Sequence, residues 1–224
     1  MDYFLFKNIK STFSGVSGYA ILNPGWKHMA RKLDTDTVLI FGKKNTASII
    51  ENNQEILIKP GRVLLLPAAR FHYGNKPISK NVSYYWIHFH QHSKPVVFEE
   101  NVARKILSNP HIAKQRLENA ALLPQYFDVP NPETISQLFH NILVENNQKF
   151  YSDIIYQNSI INLLVTLTQT CITFYSKEND INIEKGLMPD TVNKIIMKIE
   201  ENLSDPNCSV KYISSLLNLN EDYT

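Results

Sequence analysis

Apolar residues as far as Phe89 come in short runs, Val38-Leu39-Ile40-Phe41, Ile56-Leu57-Ile58 and Val63-Leu64-Leu65-Leu66. Turn formers at Gly42, Pro60-Gly61, Pro67 and Gly74 break them. Runs this short with punctuation this dense predict an antiparallel all-β sandwich or barrel. Beyond Pro132 the period lengthens. Ile135, Leu138, Phe139, Ile142 and Leu143 fall on one stripe of an amphipathic helix, with Asn131 placed to cap it and Pro132 in its first turn. From about Asp153 to Tyr175 a second helix carries Ile154, Ile161, Leu164, Val165 and Ile172 on one side, and Ile160, Leu163, Leu167, Cys171 and Phe174 on another. Such a helix must be covered twice. One cover is the β part or the preceding helix; the other is either the same monomer or a second subunit.

Residues 176–189 are polar, end at Pro189 and read as a linker. Behind Asp190, the stripe Val192, Ile195, Ile196, Ile199 and Leu203 predicts another helix, with Asp205-Pro206 marking its end. Ser209 is placed to cap a short helix with Val210, Ile213, Leu216 and Leu217 inward, and Asn220 to cap a third that opens Glu221-Asp222-Tyr223. The expected class is therefore α+β: an N-terminal β-barrel, then antiparallel helices and an incomplete helix-turn-helix.

Composition narrows this little. The net charge of +2 comes from 23 basic and 21 acidic residues, and these are interspersed, so any contact with DNA must be local. The start MDYFLFKNIKSTF lacks the apolar run of a signal peptide, and no later stretch reads as the roughly 20 apolar residues of a membrane span. A cytoplasmic protein without a membrane partner is expected. Cys171 and Cys208 lie in separate apolar helical segments, which suits two buried thiols better than a disulfide or a metal site.

Candidate chemistry lies in two stretches of the β part. In the first, Gly61, Pro67 and His72 are spaced as in the second signature of the cupin superfamily, which the stretch resembles, although Ala69 stands where glycine is usual. Metal-using cupins complete the ligand set with a His-x-His signature and a glutamate, yet residues 31 to 57 contain no histidine. One imidazole holds a divalent ion too weakly, so no metal or cofactor is expected, and His72 reads as a pocket or structural group. In the second stretch, Tyr84-Tyr85-Trp86-Ile87-His88-Phe89-His90-Gln91-His92, strand alternation points Tyr84, Trp86, His88 and His90 one way and Tyr85, Ile87 and Phe89 the other. A polar-aromatic face of this kind suits a sugar or another small polar metabolite. Two other readings stay open: Trp86 filling the barrel with histidines at its rim, and a surface metal site of His88, His90 and His92.

Pro-Gly, apolar strand, Pro, His-Tyr-Gly and then Trp-Ile-His-Phe together resemble the N-terminal sensor of the arabinose-regulator (AraC/XylS) family of transcription regulators. The resemblance covers residues 15 to 90 by motif, and residues 190 to 224 are similar to that family's first helix-turn-helix. It implies a ligand-sensing barrel at 1–100, a helical dimerisation segment at 101–175, the linker at 176–189, and the first part of a DNA-binding module at 190–224. By position it implies ligand contacts from Ser17, Arg31, Tyr73, Tyr84 and Trp86, with His72 and His88 beside them. Arg31 in a surface salt bridge is the competing assignment for that residue. Asn220, Glu221, Asp222, Tyr223 and Thr224 would open the recognition helix. The implied partners are a small-molecule effector, a second copy of the chain, promoter DNA and RNA polymerase, and no catalysis is implied. Tyr3, Phe4 and Phe6 are expected either to pack over the pocket or to form an edge strand. The rival reading is a metal-dependent cupin enzyme, an isomerase or dioxygenase, with metal at His72 and His88.

Overall fold

A computed structural model describes residues 1–145, 152–179, 198–199, 202 and 209–217. The chain divides into two compact units, Met1–Glu178 and Asn179–Thr224. The first unit begins with β1 (Tyr3–Lys7), a 3-10 turn (Ile9–Ser11), β2 (Thr12–Leu22), β3 (Arg31–Lys32), β4 (Thr37–Lys44), β5 (Ala47–Glu51) and β6 (Gln54–Ile58). It continues with β7 (Arg62–Leu66), β8 (Phe71–Gly74), β9 (Val82–Gln91), β10 (Val96–Phe98), α1 (Glu100–Leu107), α2 (Pro110–Arg116), β11 (Ala120–Pro124), β12 (Tyr126–Asp128), α3 (Pro132–Glu145) and α4 (Ser152–Asn179). In the second unit α5 spans Val210–Leu217. The class is mixed α and β with a sheet-rich N-terminal part.

Turn chemistry sets the local course of the strands. Asn52 and Asn53, both left-handed at φ 49° and 60°, join β5 to β6. This is the two-residue hairpin geometry whose twist matches its strands. Gly61 at φ 76° opens β7. Ala69 takes φ 62°, which explains why glycine is the usual residue there: a Cβ in that region costs about 1 kcal/mol.

A five-stranded sheet in the order β12-β7-β4-β9-β2 faces a four-stranded sheet in the order β3-β8-β5-β6. Between them Val38, Ile40, Leu64 and Leu66 meet Ala47, Ile49, Ile56 and Ile58. The alternate residues Leu39, Phe41, Val63, Leu65, Ile87 and Phe89 point to the other side, into a larger core shared with α1, α3, α4 and β1. Burial on both sides accounts for the continuous apolar runs in β4 and β7.

The N-terminal strand departs from both expectations for it. β1 is the middle strand of a third sheet, β10-β1-β11, with Tyr3, Phe4 and Phe6 fully buried in the helix-side core. Its partners are drawn from 96–98 and 120–124. The stretch expected to be wholly helical thus also holds strands β11 and β12, the latter joining the five-stranded sheet through β7.

α3 starts as its sequence predicts, with the Thr134 N–H donating to Asn131 Oδ1 at 3.4 Å. On α4, Ile160, Leu163, Leu164, Leu167 and Cys171 are buried, whereas Ile161, Val165 and Ile172 are only partly covered. Its segment Asp153–Lys177 is long and apolar enough to cross a membrane by length and composition alone, a test that a buried core helix also meets. In the second unit Ser209 caps α5, accepting from the Tyr212 N–H at 3.2 Å. Ile213 and Ser214 are buried there, while Val210 and Leu216, expected inward, are exposed. The candidate DNA-reading residues Asn220, Glu221, Asp222, Tyr223 and Thr224, Cys208 and most of the expected linker lie outside the described residues.

Candidate ligand-binding site

Strand pairing decides which side chains share the space between the two sheets, because directly opposed residues of an antiparallel pair lie on one face. Arg31 of β3 pairs with His72 of β8, and His72 pairs with Glu51 of β5, so these three form a row across the four-stranded sheet. Ile49, opposite Gly74 in the same register, is part of the inter-sheet core. The row therefore points inward. On the facing sheet Tyr84 is in that core and Trp86 packs against it. His88 follows on the same face, its ring 5.3 Å from that of Trp86, edge to face.

Two further residues complete the cluster. Trp26 and His28 belong to the loop between β2 and β3, which backbone bonds hold in place: Ile78 N–H to Trp26 O at 2.8 Å and Gly74 N–H to His28 O at 3.0 Å. A Cβ on Gly74 would lie 2.6 Å from the His28 nitrogen, so glycine is required for the loop to come this close. The His28 ring lies 5.3 Å from that of His72 and 5.8 Å from that of Trp26. Gly18, opposite Trp86, serves the same purpose for the indole, since a Cβ there would be 2.5 Å from Cζ2.

Five of the seven expected ligand contacts, Arg31, His72, Tyr84, Trp86 and His88, are thus brought to one interior, and two are not. Ser17 pairs with Ile87, whose side chain faces the helices, and it lies beside Tyr156 of α4. A register shift between Ser14 and Ser17 sets that orientation. Tyr73 alternates with buried His72 and points outward, 36% exposed, against the ring of Phe71. Trp26, His28, Gly18 and Glu51 were missed. His28 lies three positions ahead of the histidine-free stretch 31–57, and a loop residue has no periodicity to announce it.

Burial governs the protonation of the cluster. It pushes His28 down to about 4, aided by His72 and Arg31. Burial and the Arg31 guanidinium also depress His72. His88 is lowered mainly by burial, with Asp36 opposing through a carboxylate oxygen 3.4 Å from Nδ1. Burial raises Tyr84. At neutral pH the imidazoles are uncharged and can donate or accept.

Several polar atoms of the interior lack partners. His28 Nε2 and Arg31 Nε are buried without a hydrogen bond, and His72, which approaches the Arg70 backbone, has neither ring nitrogen in a bond of good geometry. Leaving such groups unsatisfied costs about 1–3 kcal/mol each. Glu51 Oε2, in the same row, is likewise buried without a partner. Among the described residues no three His, Cys, Asp or Glu side chains are grouped to hold a metal ion.

No family model matches the chain. Over 128 residues, 57% of its length, it is 27% identical to the uncharacterized HTH-type transcriptional regulator YisR of Bacillus subtilis (strain 168). The chain is similar to a helix-turn-helix transcription regulator. The match spans 44% of that relative, less than half. Among solved structures, ToxT from Vibrio cholerae O395 aligns with 92% of this chain and 72% of its own at 11% identity and a TM-score of 0.40. A Cupin 2 conserved barrel domain protein from Salinispora arenicola aligns with 32% of this chain and 60% of its own at 14% identity and a TM-score of 0.29.

Proposed function

We propose that the chain is a ligand-responsive bacterial transcription regulator of the AraC/XylS type, and not an enzyme. It senses a sugar or other small polar metabolite with its N-terminal barrel (1–100), dimerises through 101–175, and reaches DNA through residues 190–224 beyond a linker at 176–189. It acts in the cytoplasm on promoter DNA together with RNA polymerase. The observation that carries this reading is the interior cluster of Arg31, His72, Tyr84, Trp86 and His88, with unpartnered buried nitrogens.

β9 is the physical link from sensing to output. Its inward face bears Tyr84, Trp86 and His88, and its outward face packs on other elements: Tyr85 stacks on Phe139 of α3 at 6.0 Å, and Phe89 meets Phe6 of β1 at 5.5 Å. A ligand shifts such a system only by binding one arrangement better than another. For dimerisation the support is the half-covered side of α4, where Val165 and Ile172 border an open cleft of about 360 Å³ with Pro110, Ala113 and Leu117.

Sedimentation velocity on the chain should give a concentration-dependent dimer, and a tagged copy in its host should enrich discrete promoters in a genome-wide occupancy measurement. A monomer at high concentration that enriches no promoter would remove the proposal.

A further inference from the structure

Arg31, half-buried, differs in its partners from Arg62, Arg70 and Arg104. Arg62 holds Asp128 at 2.7 Å, Arg70 holds Asp2 at 2.8 Å and Glu51 at 3.3 Å, and Arg104 holds Glu100 at 2.9 Å. Among the described residues no carboxylate lies within ion-pairing distance of Arg31, and its Nε is buried without a partner. The groups around it, His28, His72, Tyr84 and His88, do not carry a negative charge at neutral pH.

Two acids lie near the cluster, and neither is within ion-pairing distance of Arg31. Asp36 lies against the imidazoles of His88 and His90, at 3.4 and 3.6 Å. Glu51, in the row beyond His72, accepts from Gln125 at 2.6 Å and from Arg70, which also serves Asp2. Burial raises the Glu51 carboxyl against the pull of Arg70; its Oε2 is buried without a hydrogen bond, and Arg70 is its ion-pair partner, not Arg31.

We infer that the barrel is built for an acidic small molecule, a carboxylate or a phosphate ester, whose anionic group pairs with Arg31 while the ring nitrogens of His28 and His72 complete its hydrogen bonds. The inference rests on the sensor reading and narrows its ligand from any polar metabolite to an anion. A planar fork of donors matches carboxylate and phosphate oxygens in pairs. A neutral sugar would satisfy the same hydrogen bonds yet leave the half-buried guanidinium without an opposite charge beside it, whereas an anion supplies both. The unpartnered imidazole nitrogens suit the remaining oxygens of such a group, since each neutral ring can present one N–H.

The test uses the full chain with sodium acetate, sodium phosphate or glucose at equal ionic strength, read by thermal unfolding and by emission of Trp26 and Trp86. Acetate, phosphate or both should raise the Tm and change the emission saturably. Arg31→Gln should weaken that response about tenfold or more, and Arg31→Lys should keep part of it. Without anion, R31Q should melt no lower than the parent, the reverse of what a structural arginine would show. A response to acetate alone assigns a carboxylate, and to phosphate alone a phosphate ester. No response to either anion, an undiminished response in R31Q, or a response to glucose only overturns the inference. Promoter occupancy separates it from the reading beneath it: if R31Q loses the anion but occupies promoters as before with or without effector, the acidic site stands and the sensor role falls.

Discussion

The two faces of the five-stranded sheet use the same strands for opposite ends. Toward the helices, Leu39, Phe41, Val63, Leu65, Ile87 and Phe89 sink into a core closed by α1, α3, α4 and β1, with Phe41 stacked on Phe139 at 5.6 Å. Toward the second sheet, Val38, Ile40, Leu64 and Leu66 begin an equally apolar layer. There, however, the neighbouring Trp86, His88, His72, His28 and Arg31 turn one region polar and leave nitrogens without partners. One face supplies the stability that lets the other retain unsatisfied groups.

Substitutions should separate the faces sharply. Phe139→Ala on the helix side should cost about 3–5 kcal/mol of unfolding free energy in urea, because it removes a buried ring and leaves a cavity. A loss under about 1 kcal/mol would show that this face is not where the stability lies.

Acid should act through the other face. The His28 pKa, about 4 against an ordinary 6.5, lies below its unfolded value, so between those values the unfolded chain binds the proton first. Stability attached to neutral His28 is complete above about pH 6.5 and is lost as pH falls toward about 4, by an amount on the order of 3 kcal/mol. His72 and His88 are shifted in the same direction. Urea unfolding at a series of pH values should show this slope, and His28→Phe should flatten part of it. An unchanged slope would place the acid sensitivity elsewhere.

The smallest effect is expected from His72→Leu. Although His72 is only 1% exposed, neither ring nitrogen makes a hydrogen bond of good geometry, so stability should stay within about 1 kcal/mol of the parent. Saturable anion binding should weaken all the same. A loss as large as that of Phe139→Ala would mean that the two faces are not distinct.

Much of this contrast was legible in the chain. Alternation in residues 84–89 placed Tyr84, Trp86 and His88 on one face and Tyr85, Ile87 and Phe89 on the other, as the strand has them, because a period of two is a property of the extended backbone. Asn131 and Ser209 cap the helices assigned to them, since a cap needs only residues three apart. Ser17 illustrates the limit. Its assignment to the pocket came by position from the family resemblance, and an irregularity between Ser14 and Ser17 sets it on the helix side.

The amino-acid sequence alone determined what depends on near neighbours: strands and their faces, the turns that join them, helix starts, and the resemblance borne by closely spaced motifs. Only the tertiary structure decided that Trp26 and His28 enter the interior, that the N-terminal strand lies in the middle of a small sheet, and that no carboxylate among the described residues pairs with Arg31. Those results depend on which distant segments meet, Gly74 with His28, Tyr3 with Phe98 and Pro124, and Arg31 with His72. Such pairings are chosen by packing of the whole chain, and no local period records them.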